Sequence, residues 1–226
     1  MNFYGIQKTS LLDFPGHMAA ILFTGGCNFN CPYCHNASLL KAKKEDALDN
    51  EEIFSFLKKR ASILEGIVIT GGEPTIHKDL PDMIRKLKSF GYKIKLDTNG
   101  SNPAMLKKLL SEKLLDYVAM DVKAAFSEYE KTISASCDQT AIKESISLFM
   151  ESDLPHEFRI TCVRELQSPD SFHEIGHMLK GAGLCYLQNF KDSDAVRFSG
   201  LHPFSEEGLK KAAEILQLYV HEVKIR

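Results

Sequence analysis

Met18-Ala-Ala-Ile-Leu-Phe-Thr-Gly-Gly-Cys-Asn-Phe-Asn-Cys-Pro-Tyr-Cys-His35 is the stretch on which the fold turns. Residues 18–24 form a near-continuous apolar run, the composition of a strand buried on both faces of a parallel sheet. Cys27, Cys31 and Cys34 follow in one short loop, gathering three of the six cysteines. Thiolates at this spacing suit zinc or an iron-sulfur cluster, and four is the usual complement for either. No cysteine recurs before Cys137, so a metal held by this loop keeps one position for a ligand that is not protein. Plain buried thiols are the structural alternative, since free cysteine packs as a small hydrophobe.

Outward from this loop, apolar runs and helical stripes alternate. Further strands are expected at residues 66–70, 93–97, 117–121, 157–163 and 183–190. A helix with Asp49 or Asn50 as N-cap follows the cysteine loop, and another starts at Asp79 with Pro81 just inside and stops at Gly91. Asn102-Pro103 opens a third helix. A helical turn over 126–133, a helix over 138–150, one after Ser168-Pro169 and an amphipathic one over 205–223 complete the series. Six strand-helix alternations with right-handed crossovers predict an α/β fold, an open partial (β/α)6 barrel of parallel strands. One domain is expected, with residues 1–17 a turn-rich N-terminal extension, 18–200 the barrel and 201–226 a C-terminal helix.

Composition bounds the function. The 226 residues carry 28 basic and 30 acidic side chains, a formal charge of -2, which gives no global basic field for nucleic acid. No apolar run approaches the roughly 20 residues that span a bilayer, and the first residues show no signal-peptide pattern, so a cytoplasmic protein without a membrane partner is expected. In a reducing compartment cysteines serve as metal ligands or free thiols. Cys137, Cys162 and Cys185 share no ligand spacing and read as incidental thiols.

Polar residues just after strands mark the functional rim of such a fold. Gly71-Gly72-Glu73-Pro74 offers glycines that let backbone approach a ligand and a carboxylate for an ammonium group; taken alone, a glycine pair before a proline is more often a strand-to-helix turn, with Glu73 favouring a helix N-terminus. Asp97-Thr98 and Asp121-Val122-Lys123 end two strands, where their carboxylates hold a cation or form ion pairs, with Lys123 the obvious partner. Arg159 lies inside an apolar strand and needs an anion, or a salt bridge to Glu157 or Asp121.

These segments, with Gly5 to Gly16, Cys34-His35-Asn36, Asp97-Thr98-Asn99-Gly100 and Asp116 to Lys123, resemble the radical S-adenosylmethionine (SAM) superfamily, and within it the activating proteins of anaerobic ribonucleoside-triphosphate reductase, a family of glycyl-radical enzyme activases. The resemblance implies a 4Fe-4S cluster on Cys27, Cys31 and Cys34, whose open iron is chelated by SAM. It implies SAM contacts at Tyr33, His35, Gly71, Gly72, Glu73, Asp121, Lys123 and Arg159, with the His35 backbone on the adenine side. It implies a monovalent cation at Asp97, Thr98, the Ala119 carbonyl and Asp121, and a substrate contact at Asp13, which otherwise reads as a turn former before Phe14-Pro15. A glycyl-radical enzyme would be the protein substrate and an external one-electron donor such as flavodoxin or ferredoxin would feed the cluster. A radical SAM enzyme acting on a small molecule shares every motif. A metal-binding sensor shares the cysteines but leaves Gly71 to Pro74 and the paired aspartates unexplained.

Overall fold

A computed structural model describes residues 1–226. The fold class is α/β, with a sheet of parallel strands that does not close, a partial barrel. Eight strands stand in sequence order: β1 (Phe3–Ser10), β2 (Ala19–Thr24), β3 (Gly66–Gly71), β4 (Lys93–Thr98), β5 (Tyr117–Asp121), β6 (His156–Cys162), β7 (Leu184–Asn189) and β8 (Glu222–Ile225). The six strands expected from sequence are β2 to β7, each within a residue of its expected ends.

Two strands were not anticipated, and both have physical reasons. β1 pairs antiparallel with β2 inside the supposed extension. Its second half, Gln7-Lys8-Thr9, is exposed, so it lacks the apolar run of an interior strand. β8 pairs parallel with β7 where a helix was expected to continue to residue 223. The last helix, α7 (Glu206–Gln217), buries Leu209, Ala212 and Leu216. Val220 and Val223 prolong that spacing in the sequence past the true end, and only the alternation of Glu222-Val-Lys-Ile marks the change.

The chain divides into two compact units. The first comprises Met1–Asn28, Ser38–Thr98 and Ala104–Val118. It contains β1 to β4 with α1 (Asn50–Arg60), α2 (Leu80–Lys88) and nearly all of α3 (Pro103–Ser111). Leu22, Ile67, Val68, Ile69, Ile94 and Leu96 are fully buried, which is the double-sided burial that the apolar runs require. Asp49 caps α1, accepting from Glu51 N at 2.8 Å. Asp79 occupies the N-cap position of α2 without making a cap bond, because its carboxylate pairs instead with the amino group of Met1.

The second unit comprises Phe29–Ala37, Asn99–Pro103 and Ala119–Arg226. It holds β6 to β8 with α4 (Tyr129–Ile133), α5 (Gln139–Met150), α6 (Pro169–Met178) and α7. Its strands alternate rather than run apolar. On β6, Phe158, Ile160 and Cys162 are fully buried while Glu157, Arg159 and Thr161 take the other face. On β7, Cys185 and Leu187 are fully buried, with Tyr186 and Gln188 opposite. One face of this sheet is therefore core and the other is lined with polar side chains.

Candidate active site

In the first unit the glycine-rich loop after β3 packs on the loop after β2. Gly72 N donates to Thr24 O at 2.9 Å and Glu73 N to Gly26 O at 2.9 Å. A Cβ on Gly72 would lie 1.8 Å from the Gly26 carbonyl oxygen, and Gly71 has φ +111°, where other residues are strained. The glycines are thus required by contact between two backbones of the chain, a reason additional to any ligand. Cys27 follows Gly26 directly, so this contact fixes the start of the cysteine loop.

Glu73 is 1% exposed, and its Oε1 accepts from Thr75 N (3.1 Å), Thr75 Oγ1 (2.6 Å) and Thr98 Oγ1 (2.8 Å). These bonds compensate the burial of the carboxylate and fix its orientation. They also join two sequence-predicted site residues, Glu73 and Thr98, at the ends of β3 and β4. Asp97 carries its own counter-charge: Lys95 Nζ lies 2.5 Å from Asp97 Oδ1, and the Lys95 side chain is 2% exposed. Lys95 was not singled out in the sequence, although a polar residue inside the apolar run Lys93-Ile-Lys-Leu-Asp is the same signal that marked Arg159. Lys123 was expected as the partner; Lys95 takes that role for Asp97.

In the second unit Cys31 and Tyr33 are buried, Cys34 is half-buried and His35 is exposed. Cys34 N donates to Cys31 O at 3.2 Å, closing a turn, and Asn30 N donates to Ile133 O at 2.9 Å. Phe29 packs edge-on against Tyr129, so aromatic burial anchors the loop. Burial pushes the Cys31 thiol up, with the Lys123 charge pulling in the opposite direction. The Tyr33 hydroxyl is buried beside the Cys31 thiol, and burial pushes it well above the usual phenol range.

Asp121, Lys123 and Arg159 form one charged cluster. Arg159 Nε lies 2.7 Å from Asp121 Oδ1, and Lys123 Nζ lies 3.0 Å from Asp121 Oδ2. Burial disfavours ionisation of Asp121, yet the Arg159 and Lys123 charges outweigh it and hold the carboxyl well below its usual range. Burial opposes the Lys123 charge too, but the Asp121 carboxylate and the nearby Cys31 leave its ammonium more firmly protonated than usual. Arg159 is paired with Asp121, one of the two partners open to it, and Glu157 lies 3.5 Å from Arg226 Nη1.

Asp13 stands apart. It belongs to the turn between β1 and β2, where its carboxylate accepts from Ser10 Oγ while that hydroxyl accepts from Leu12 N (3.1 Å) and Asp13 N (3.2 Å). This is the turn-forming role. Cys27 leaves the opposite end of β2, about 20 Å of extended strand away. Cys162 and Cys185 are buried, and burial raises both thiols, Cys185 to about 12, which keeps them protonated and inert. Burial also raises Cys137, to about 11.

The donor set fits an iron-sulfur cluster. Three thiols fall within one short loop, none of them in a disulfide, and the Lys123 ammonium acts on Cys31, favouring its thiolate form.

Comparison with known proteins defines the class. The family model described as the radical SAM superfamily matches residues 21–175. The chain belongs to the radical SAM superfamily, whose members work with a 4Fe-4S cluster and SAM. A Methanocaldococcus jannaschii protein provisionally named as a glycyl-radical enzyme activating enzyme is 34% identical over 98% of this chain and 94% of its own length. A Pyrococcus abyssi protein provisionally named as a GTP 3',8-cyclase is 26% identical over 89% of this chain and 68% of its own. Among solved structures, a domain of pyruvate-formate lyase-activating enzyme from Bacteroides vulgatus superposes with a TM-score of 0.58 at 16% identity, over 72% of this chain and 99% of that one.

Proposed function

We propose that this radical SAM enzyme is an activase that reductively cleaves SAM and installs a glycyl radical on a partner glycyl-radical enzyme, with anaerobic ribonucleoside-triphosphate reductase as the target. The observation that carries this reading is the near end-to-end match to a provisionally named activating enzyme, 98% of this chain against 94% of that one.

Cys27, Cys31 and Cys34 would hold the 4Fe-4S cluster through their thiolates, with SAM as the ligand that is not protein. What a bound cluster supplies is a single electron into the sulfonium of SAM, whose cleavage releases methionine and yields the agent that abstracts a glycine Cα hydrogen. Glu73, held by Thr75 and Thr98, receives the ammonium of SAM, and Gly71 and Gly72 keep that loop in place. Arg159 and Lys123, oriented by Asp121, face its carboxylate. Tyr33 contacts SAM, and the His35 backbone lines its adenine side. Asp97, Thr98, the Ala119 carbonyl and Asp121 take a monovalent cation beside it, with Lys95 already supplying part of the counter-charge. Electrons come from flavodoxin or ferredoxin, and the setting is the cytoplasm; no helix is long and apolar enough to cross a membrane.

The test is anaerobic. Reconstituted protein, SAM and dithionite should release 5'-deoxyadenosine, and adding the anaerobic reductase should give a glycyl-radical doublet in electron paramagnetic resonance. Cys31→Ala should abolish both while its circular dichroism stays native. Full SAM cleavage by Cys31→Ala would refute the cluster assignment. A second reading, a radical SAM enzyme with a small-molecule substrate, draws on the similarity to the provisionally named cyclase; turnover of a metabolite without any protein would favour it.

A further inference from the structure

Three donor atoms that the proposed function leaves unused converge between α6 and the turn after α7, within the second unit. His173-Glu-Ile-Gly-His177 lies in α6, and residues four apart share one face of a helix. Tyr219, between α7 and β8, sets its hydroxyl between the two imidazoles, 3.1 Å from His173 Nδ1 and 3.5 Å from His177 Nε2. Its ring rests on the helix, with its centroid 4.7 Å from that of His177 and 6.1 Å from that of His173. Gly176 makes this approach possible, since a Cβ there would lie 2.2 Å from Tyr219 Cδ2. His173 and Tyr219 are half-buried and His177 is exposed, so the cluster is held in place yet open to solvent.

The spacing is that of ligands around one ion. Donors bound at about 2.0–2.1 Å to a single cation stand about 2.8–3.4 Å apart at octahedral to tetrahedral angles. The 3.1 Å distance falls inside that range and 3.5 Å at its edge, whereas 3.5 Å is long for a hydrogen bond to a hydroxyl. Imidazole nitrogen suits zinc, copper, nickel and iron. No third histidine, cysteine or carboxylate joins the set, so water takes the remaining positions. The order His-Glu-x-x-His is also that of zinc hydrolases, in which the glutamate acts as base. Here Glu174 is engaged by the loop after β5, accepting from Ser127 N (3.0 Å) and Ser127 Oγ (2.6 Å). The cluster therefore has the ligands of a metal site without the free base of a hydrolytic one.

We infer that His173 Nδ1, His177 Nε2 and Tyr219 Oη bind one divalent late-transition-metal ion of the zinc type, which ties α6 to the turn before β8. Full-length protein, with its cluster reconstituted so that Cys27, Cys31 and Cys34 are occupied, is titrated anaerobically with zinc chloride by calorimetry. His173→Gln, His177→Gln and Tyr219→Phe are titrated alongside, and iron is counted before and after. The wild type should take up a single zinc ion per chain at this cluster with its iron retained. Each glutamine variant should weaken that binding by at least about tenfold, since loss of even an outer partner of a metal ligand does as much. Tyr219→Phe should weaken it by a smaller factor, because water can replace a phenol. Zinc should also raise the Tm of the wild type more than that of His177→Gln, with circular dichroism native in both. No zinc uptake by the wild type would overturn the inference. So would uptake that neither glutamine variant weakens, which would assign the ion to thiols such as Cys137. The comparison among variants does not depend on the cluster, so a failure of the radical SAM assignment is read separately, from the iron content.

Discussion

Asp121→Asn removes the one carboxylate that holds both Arg159 and Lys123, at 2.7 and 3.0 Å. A hydrogen bond to a charged group contributes about 1.5–3 kcal/mol, and stripping one partner from a fully buried pair costs about 3–5 kcal/mol. The Asp121 side chain is 27% exposed and asparagine keeps one acceptor oxygen, so the lower end applies, about 2–3 kcal/mol. For a chain of this size that is a fall in Tm of about 4–12 °C. The assay is thermal unfolding of the metal-free protein, followed by circular dichroism, for the wild type, Asp121→Asn, Arg159→Leu and the double variant. Because the pair acts as a unit, the double variant should lose clearly less than the sum of the singles. Unchanged Tm in Asp121→Asn, or strict additivity, would refute the cluster's energetic role.

Two further outcomes follow from the geometry. Gly72→Ala forces a Cβ to within 1.8 Å of the Gly26 carbonyl, so the two loops must part; iron content after reconstitution should drop severalfold, and wild-type iron loading would contradict this reading. Acid sensitivity follows from Asp121, whose folded pKa lies below its unfolded value. Its stabilisation is complete above the ordinary carboxylate pKa of about 4 and is lost as pH falls from there toward the depressed folded value. Wild-type Tm should therefore fall more steeply below pH 4 than that of Asp121→Asn, and parallel curves would contradict the assignment.

The strands β2 to β7 were legible because apolar runs leave few alternatives, and proline, serine and aspartate mark the helix starts. β1 and β8 were not, because edge strands carry short, half-polar patterns that a turn or a prolonged helical stripe can mimic. In the site, Arg159 was legible as a charge inside an apolar strand, Asp97 and Asp121 as carboxylates ending strands, and Glu73 from the glycine pair before it. Their partners were not: Thr75 and Thr98 on Glu73, and Lys95 on Asp97, depend on which side chains the sheet brings together. The glycine pair shows the same limit. Its need for glycine was clear, but only the structure shows that the close neighbour is the Gly26 backbone.

The most direct measurement is the electron paramagnetic resonance spectrum of the anaerobically reconstituted, dithionite-reduced protein with and without SAM. The account predicts a reduced 4Fe-4S signal whose g-values shift on adding SAM, as a non-cysteine ligand binds the open iron. Absence of a cubane, or a cubane spectrum that SAM leaves unchanged, would contradict it.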